Sequence, residues 1–344
     1  MKPELDIFQG KKDIRLNDFM SLSNAHYYGT RDPFGAQGDF YTSPELCQVF
    51  GEVLGLWAYD CWIKMGSPAS FHFIELGPGR GTFLLDVWRA SQKYWADTDI
   101  EFHLLESSPA LQQIQKEKLE NILKPIYWHK SIDEIPFDRP FILIANEFLD
   151  ALPVQHFKSE NGLQEAWVTY KNNQWVPYFK PSSQDIKLPD ATKIYETSPS
   201  ILNFMNIIYE KLKQQPAIAL FIDYGYAENL GGSSLQAIQK HQFVDPFAHP
   251  GEADITAHVD FGALKKLALD HALNTLGPLP QANFLTSLGF QERVHFLASK
   301  LDNPHSFLRA SRSLIDPLAM GQLFKAFAIT NTDIIVSGFS NDKN

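Results

Sequence analysis

A chain of 344 residues can bury roughly three quarters of the surface it exposes when unfolded, enough for a core of its own. With 44% hydrophobic and 20% charged residues its composition is ordinary for a soluble globular enzyme, and no run of 18 apolar residues offers a membrane-spanning helix. A formal charge of −10 without a long lysine or arginine run disfavours a nucleic-acid surface. The two cysteines, Cys47 and Cys61, make neither a disulfide framework nor a metal spacing.

Residues 1–69 read as a helical cap segment. Its first residues have neither the apolar core of a signal peptide nor the arginine-rich, acid-poor character of a transit peptide, which points to a cytoplasmic, bacterial-type protein. In Gly38-Asp39-Phe40-Tyr41-Thr42-Ser43-Pro44-Glu45, Ser43 is expected to cap a helix whose first residue is Pro44. Asp39, Tyr41 and Thr42 are candidates to close over a ligand. Strands and helices alternate from residue 70. Phe71-His72-Phe73-Ile74-Glu75-Leu76 is a strand ending in a glycine turn, and Phe83, Leu84, Val87 and Trp88 then share one helix face. A second strand over 100–105 stops at Glu106, after which Ser108-Pro109 opens a helix over 110–123. Ile126-Tyr127-Trp128 and Phe141-Ile142-Leu143-Ile144-Ala145 are a third and a fourth strand. This α/β alternation implies a mostly parallel, Rossmann-like sheet covered by helices on both faces.

Residues 154–179 break the rhythm. Strand-like runs separated by Asn161-Gly162 and Asn172-Asn173 predict a small antiparallel insertion, placed as a flap beside the active-site edge. A helix over 202–212, a fifth strand over 217–222 ending at Asp223, a loop-rich stretch to about 251, a helix over 261–271 and a last strand over 323–329 complete the chain. The expected layout is one domain over 70–344 with insertions at about 151–195 and 226–260.

Three constellations carry chemistry. Glu75-x-Gly77-x-Gly79-x-Gly81 lies between a strand and a helix, where glycines allow a tight turn and close approach of a ligand. The spacing is not the G-x-G-x-x-G that seats a pyrophosphate. An acid two residues before the first glycine suits the ammonium of a methionine moiety. Glu106, at the end of the next strand, can accept both hydroxyls of a ribose; Pro78, Ser107 and Thr42 are further expected cofactor contacts. The third is Asn146-Glu147-Phe148-Leu149-Asp150-Ala151-Leu152-Pro153, beyond the carboxyl end of a strand, where doubly wound sheets bind ligands. Asn146, Glu147 and Asp150 are the expected catalytic residues: carboxylates there can hold a guanidinium, which stays charged in water, orient one nitrogen and take the released proton. Asp223-Tyr224-Gly225 is a candidate lining for the acceptor pocket. Asp254, Thr256 and His258 fit a helix-start cap better than a metal site, and no metal is expected. Neither Gly-x-Ser-x-Gly nor a P-loop occurs.

These segments, together with Ile222-Asp223-Tyr224-Gly225, residues 254–261, Gln281-Ala282-Asn283-Phe284-Leu285 and Met320-Gly321-Gln322-Leu323-Phe324-Lys325, resemble the MidA family over nearly the whole chain and in the expected order. That family holds a mitochondrial complex I assembly factor that methylates a protein arginine, and many bacterial relatives. The resemblance implies a class I methyltransferase fold, seven strands with the last antiparallel, and S-adenosyl-L-methionine as cofactor. More loosely, it implies a protein arginine as acceptor, with a respiratory-complex subunit as the partner by analogy. A small-molecule or RNA acceptor, and a cofactor-binding assembly partner with little turnover, remain the alternatives.

Overall fold

The computed structural model describes residues 6–30, 39, 42–123, 125–186, 188, 194–229 and 231–339. β1 (Asp13–Arg15) leads into α1 (Leu16–Thr30), followed by the short α2 (Ser43–Leu46) and α3 (Gln48–Lys64). Then come β2 (Ser70–Leu76), α4 (Thr82–Ser91), β3 (Asp99–Leu105), α5 (Pro109–Leu119), β4 (Ile126–His129) and β5 (Phe141–Asn146). The middle of the chain forms β6 (Gln155–Ser159), β7 (Leu163–Lys171), β8 (Gln174–Pro181) and β9 (Tyr195–Thr197), then α6 (Pro199–Leu212) and β10 (Ala217–Tyr226). Three short strands, β11 (Gln236–Gln239), β12 (Gln242–Val244) and β13 (Asp254–Thr256), precede β14 (Val259–Asp260), α7 (Phe261–Asp270) and β15 (Asn274–Pro280). The chain closes with α8 (Gln281–Ser287), α9 (Phe290–Ala298), α10 (His305–Ser313), α11 (Met320–Leu323) and β16 (Phe324–Thr330).

The main sheet runs β15-β16-β10-β5-β2-β3-β4, with β14 as an eighth strand paired to β10. It is mixed: β10, β5, β2, β3 and β4 are mutually parallel, whereas β16 is antiparallel to both neighbours. The expected strands are therefore present, and the sheet carries one strand more than the seven expected. Alternation explains how both faces bury. Phe71 and Phe73 pack with α3, α4, α8 and α9, while Ile74 and Leu76 join a separate core with α6 and α7. The parallel register, with Leu76 opposite Leu105 and Ile222 opposite Asn146, brings the carboxyl ends of β2, β3, β5 and β10 to one edge.

α3 belongs to this core, so residues on both sides of position 69 share it. Val49, Phe50, Val53, Leu54, Trp57 and Cys61 recur at helical spacing and are buried there. Gly51 and Gly55 face α4 so closely that a Cβ would stand 2.6 Å from Asp86 Cβ at the first and 2.7 Å from the Val87 carbonyl at the second. β1 is not part of a helical cap; it pairs with β7 in a five-stranded sheet of β1, β6, β7, β8 and β9. The antiparallel sheet thus adds β1 and β9 to the strands expected over 154–179, and its turns are the predicted ones, with positive φ at Asn161, Gly162, Asn172 and Asn173. A three-stranded sheet of β11, β12 and β13 occupies much of the stretch expected to be loop. β10 continues to Tyr226, and the helix expected over 110–123 stops at Leu119.

Candidate active site

The turn after β2 is built on left-handed backbone: φ is +65° at Gly77, +52° at Gly79 and +73° at Gly81. A Cβ at Gly77 would lie 2.8 Å from the Phe148 ring, and one at Gly81 would lie 2.9 Å from Leu119 Cδ1, so side chains there meet both strain and neighbours. Pro78 supplies the carbonyl that accepts from the Gly81 amide at 2.8 Å, and Gly81 is the N-cap of α4. Glu75 sits buried beneath the turn. Its Oε2 has no hydrogen-bond partner among the described residues, and burial, with Glu106 nearby, pushes its carboxyl up to about 8.

Glu106 follows β3 and is buried as well. Its Oε1 accepts from the Ser108 amide at 2.8 Å and its Oε2 from Gln115 Nε2 at 3.2 Å; burial raises it to about 7 against those bonds. Gln115 also donates to the Gly79 carbonyl at 2.7 Å, joining the glycine turn to the acid. Ser107 beside it is exposed. Ser108 caps α5, accepting from the Leu111 amide, as expected. An unpartnered buried carboxylate under a turn that excludes side chains, next to a second acid fixed by Gln115, fits the ammonium and the ribose of S-adenosyl-L-methionine.

The second half of the site lies where β5 ends. Glu147 has a positive φ of 52°, unusual for a non-glycine residue, and its amide bonds the Ile222 carbonyl at 2.9 Å. Its Oε1 accepts from the Ser43 amide at 2.8 Å, Ser43 Oγ at 3.1 Å and Asn146 Nδ2 at 3.0 Å. These bonds hold one carboxylate oxygen and leave Oε2 outside all three. Burial dominates and lifts Glu147 to about 7. Asn146 Oδ1 is buried without a partner among the described residues. The expected capping role of Ser43 is corrected: Ser43 is the first helical residue, the N-cap is Thr42, and the Ser43 hydroxyl serves Glu147. Thr42 makes no side-chain cap bond.

Asp223 organises the turn that follows. Its Oδ2 accepts from the amides of Phe148 at 3.1 Å, Leu149 at 2.9 Å and Asp150 at 3.2 Å, and its Oδ1 from the Tyr224 amide at 2.9 Å. Asp150 takes the Tyr224 hydroxyl at 2.5 Å and is raised to about 6 by burial. Asp254, whose Oδ1 takes the Tyr28 hydroxyl at 2.7 Å, is pushed up to about 8 by burial and by Asp150. Asp254 thus belongs to the acidic pocket, and the helix cap expected from its cluster comes from Asp260, which accepts from the Ala263 amide at 2.9 Å. Sequence alone does not mark Tyr28 and Asp254 as pocket residues, because α1 and β13 are far from β5 along the chain. Of the segment expected to close over the cofactor, Asp39 bonds the Tyr27 hydroxyl at 2.7 Å and the Lys240 amide at 2.7 Å, and Tyr41 lies outside the described residues.

Residues 53–279 match a family described as S-adenosyl-L-methionine-dependent methyltransferase. The chain is 33% identical over 340 residues to the zebrafish (Danio rerio) "Protein arginine methyltransferase NDUFAF7, mitochondrial", covering 89% of this chain and 80% of that one. It is 32% identical over 341 residues to the human (Homo sapiens) protein of the same name, covering 88% and 76%. The fold is similar to that of a Burkholderia thailandensis protein in a crystal structure bound to S-adenosyl-homocysteine, with a TM-score of 0.84 and 23% identity over 98% of this chain and 93% of that one. The mitochondrial names of the relatives overturn the expectation of a cytoplasmic, bacterial-type location. The lack of leader-like composition in a few residues does not by itself fix the compartment in which a folded domain works.

Proposed function

Because the chain belongs to this family of S-adenosyl-L-methionine-dependent methyltransferases, the MidA family, we propose that its acceptor is the guanidinium of an arginine in a partner protein. The observation that carries this reading is the convergence of Glu147, Asp150 and Asp254, all raised by burial, beside the turn that ends β5. A guanidinium keeps its charge to a pH above about 12, so a desolvated cluster of acids recognises it where it rejects neutral and anionic groups.

Glu75 and the turn Gly77-Pro78-Gly79-x-Gly81 would hold the methionine part, and Glu106 the ribose, with Ser107 and Thr42 at the rim. Bound there, S-adenosyl-L-methionine supplies a methyl group already activated on sulfonium. The protein's task is then alignment and proton removal. Glu147, its Oε1 fixed by Ser43 and Asn146, presents Oε2 to the guanidinium, and Asp150 and Asp254 balance the remaining charge. Methylation leaves one proton to be removed from the attacking nitrogen, and Glu147, raised to about 7, is matched to accept it near neutral pH. In this reading Glu147 and Asp150 act on the acceptor and Asn146 orients Glu147.

The relatives' names support a protein acceptor, and the family resemblance suggests a respiratory-complex subunit. We also read the seven-strand path as the class I methyltransferase sheet, with β14 an addition, and 155–197 and 236–256 as insertions into that domain. The test is a lysate incubated with the protein and methyl-labelled S-adenosyl-L-methionine, followed by mass spectrometry of protein, RNA and small-molecule fractions. Methylarginine in a protein fraction, lost with Glu147→Gln, is the expected outcome. Label confined to RNA or small molecules would overturn the acceptor assignment.

A further inference from the structure

Three strands of the main sheet gather imidazoles and a carboxylate on the face that carries Ile74 and Leu76, away from the glycine turn. The β2–β3 register sets His72 opposite Glu101 and Ile74 opposite His103, and the two-residue period turns His72, Glu101 and His103 to that same face. His72 Nδ1 and His103 Nε2 are 2.9 Å apart, and Glu101 Oε2 lies 3.6 Å from the first and 3.7 Å from the second. A point equidistant from these three atoms is about 2.0 Å from each, and zinc binds imidazole and carboxylate at about 2.0–2.2 Å.

Each ligand is also held from behind. His72 Nε2 is 2.9 Å from Asp138 Oδ1, His103 Nδ1 is 3.0 Å from His129 Nε2, and Glu101 Oε1 is 3.4 Å from an Arg139 guanidinium nitrogen. Metal-bound histidines and carboxylates keep such outer partners, which fix ring orientation and tautomer. Both histidines are buried, while the Glu101 side chain is 21% exposed and opens a path for an ion.

We propose that His72 Nδ1, His103 Nε2 and Glu101 Oε2 form a site for a divalent transition metal of the zinc type, with a fourth position open to water. Asp138 accepts a hydrogen bond from His72 Nε2–H, so in the empty cluster His103 donates from Nε2 to His72 Nδ1. Coordination moves the His103 proton to Nδ1, which then donates to His129 Nε2, and the proton that His129 Nε2 carries in the empty cluster moves to its Nδ1. Both ligand rings stay neutral, and the ion adds two positive charges beside one carboxylate. His72 precedes Glu75 by three residues, about 10 Å along the strand and on the other face of the sheet, so the ion clamps β2, β3 and the turn at Asp138 and takes no part in methyl transfer. Sequence spacing gave no sign of it, because its ligands come from two strands whose register only the fold sets.

The competing account is a chain of hydrogen bonds that needs no ion. Chelator-treated protein that still binds S-adenosyl-homocysteine is titrated with Co²⁺ while its visible absorption is followed, and Zn²⁺ is then added in competition. One equivalent of Co²⁺, displaced by Zn²⁺ and accompanied by a rise in melting temperature, is expected. Asp138→Asn, at an exposed side chain behind His72, should weaken the affinity tenfold to a hundredfold, and Glu101→Gln, at a half-buried ligand, at least as much. Absence of saturable one-equivalent binding in the folded wild type, or unchanged affinity in Glu101→Gln, would overturn the site.

Discussion

At the scale of single residues, the site is a set of carboxyls in surroundings that resist their ionisation. Glu75 is the sharpest case, with one oxygen unpartnered and a carboxyl raised to about 8 by burial and by Glu106. A ligand ammonium favours the ionised form, so below pH 8 binding must release a proton. Affinity for S-adenosyl-homocysteine should therefore rise with pH to about 8, by up to tenfold per unit, and then level. Calorimetry in buffers of different ionisation enthalpy would count the proton; Glu75→Gln should bind more weakly and lose the slope. Glu147 is held through one oxygen and raised to about 7. If it accepts the proton, Glu147→Gln should lower kcat on the order of 10²–10⁴-fold with cofactor affinity unchanged. A variant with near wild-type kcat would remove Glu147 from the chemistry.

At the scale of elements, precision comes from how strand ends are tied together. The turn after β5 carries Glu147 and Asp150, and three of its amides point at one oxygen of Asp223 on β10. Asp223→Asn keeps the shape and replaces one acceptor oxygen by a donor. We expect a loss of about 1–3 kcal/mol in unfolding free energy, with a larger fractional loss of turnover than of cofactor binding. Denaturant unfolding beside steady-state kinetics would separate the two, and equal losses in both would show that the turn has no special role. Gly225 on β10 is a second tie: a Cβ there would meet the Val259 carbonyl at 2.1 Å, so Gly225→Ala should unseat β14 and lower the melting temperature. An unchanged melting curve would contradict that packing. Missed elements have physical causes as well. β15 carries Pro278 and Pro280, which sequence patterns count against a strand, yet the edge of a sheet accepts them.

At the scale of the whole molecule, stability and ligand binding are linked through pH. Glu75 and Asp254 are raised to about 8, Glu147 and Glu106 to about 7 and Asp150 to about 6. Each folded value lies above its unfolded one, so the folded protein holds more protons and loses stability as the pH climbs toward 8. His103, driven down to about 3 by burial and by His72 and His129, acts in the opposite sense, but only below its unfolded value near 6.5. Between pH 6.5 and 8 the melting temperature of the ligand-free protein should therefore fall. Saturating S-adenosyl-homocysteine should make the fall shallower by favouring ionised Glu75. A flat or rising profile in scanning calorimetry would refute this.

The local order of the chain was legible from its residues. Apolar runs such as Phe141-Ile142-Leu143-Ile144-Ala145 mark strands because a sheet covered on both faces buries every residue of its central strands. The glycines after Glu75 mark a left-handed turn, and Glu106 marks the end of the neighbouring strand, because these depend on conformation within a few residues. The assembly of the pocket was not legible. Ser43 reads as a helix cap and proves to hold Glu147, 104 positions away; Asp254 reads as a cap and proves to be a buried acid beside Asp150. β1, with three residues, counts as a strand only because β7 offers a partner. Residues close in sequence declare their conformation through their own sterics and periodicity. Which distant side chains share a desolvated site depends on the register and packing of the whole sheet, and that the tertiary structure alone decided.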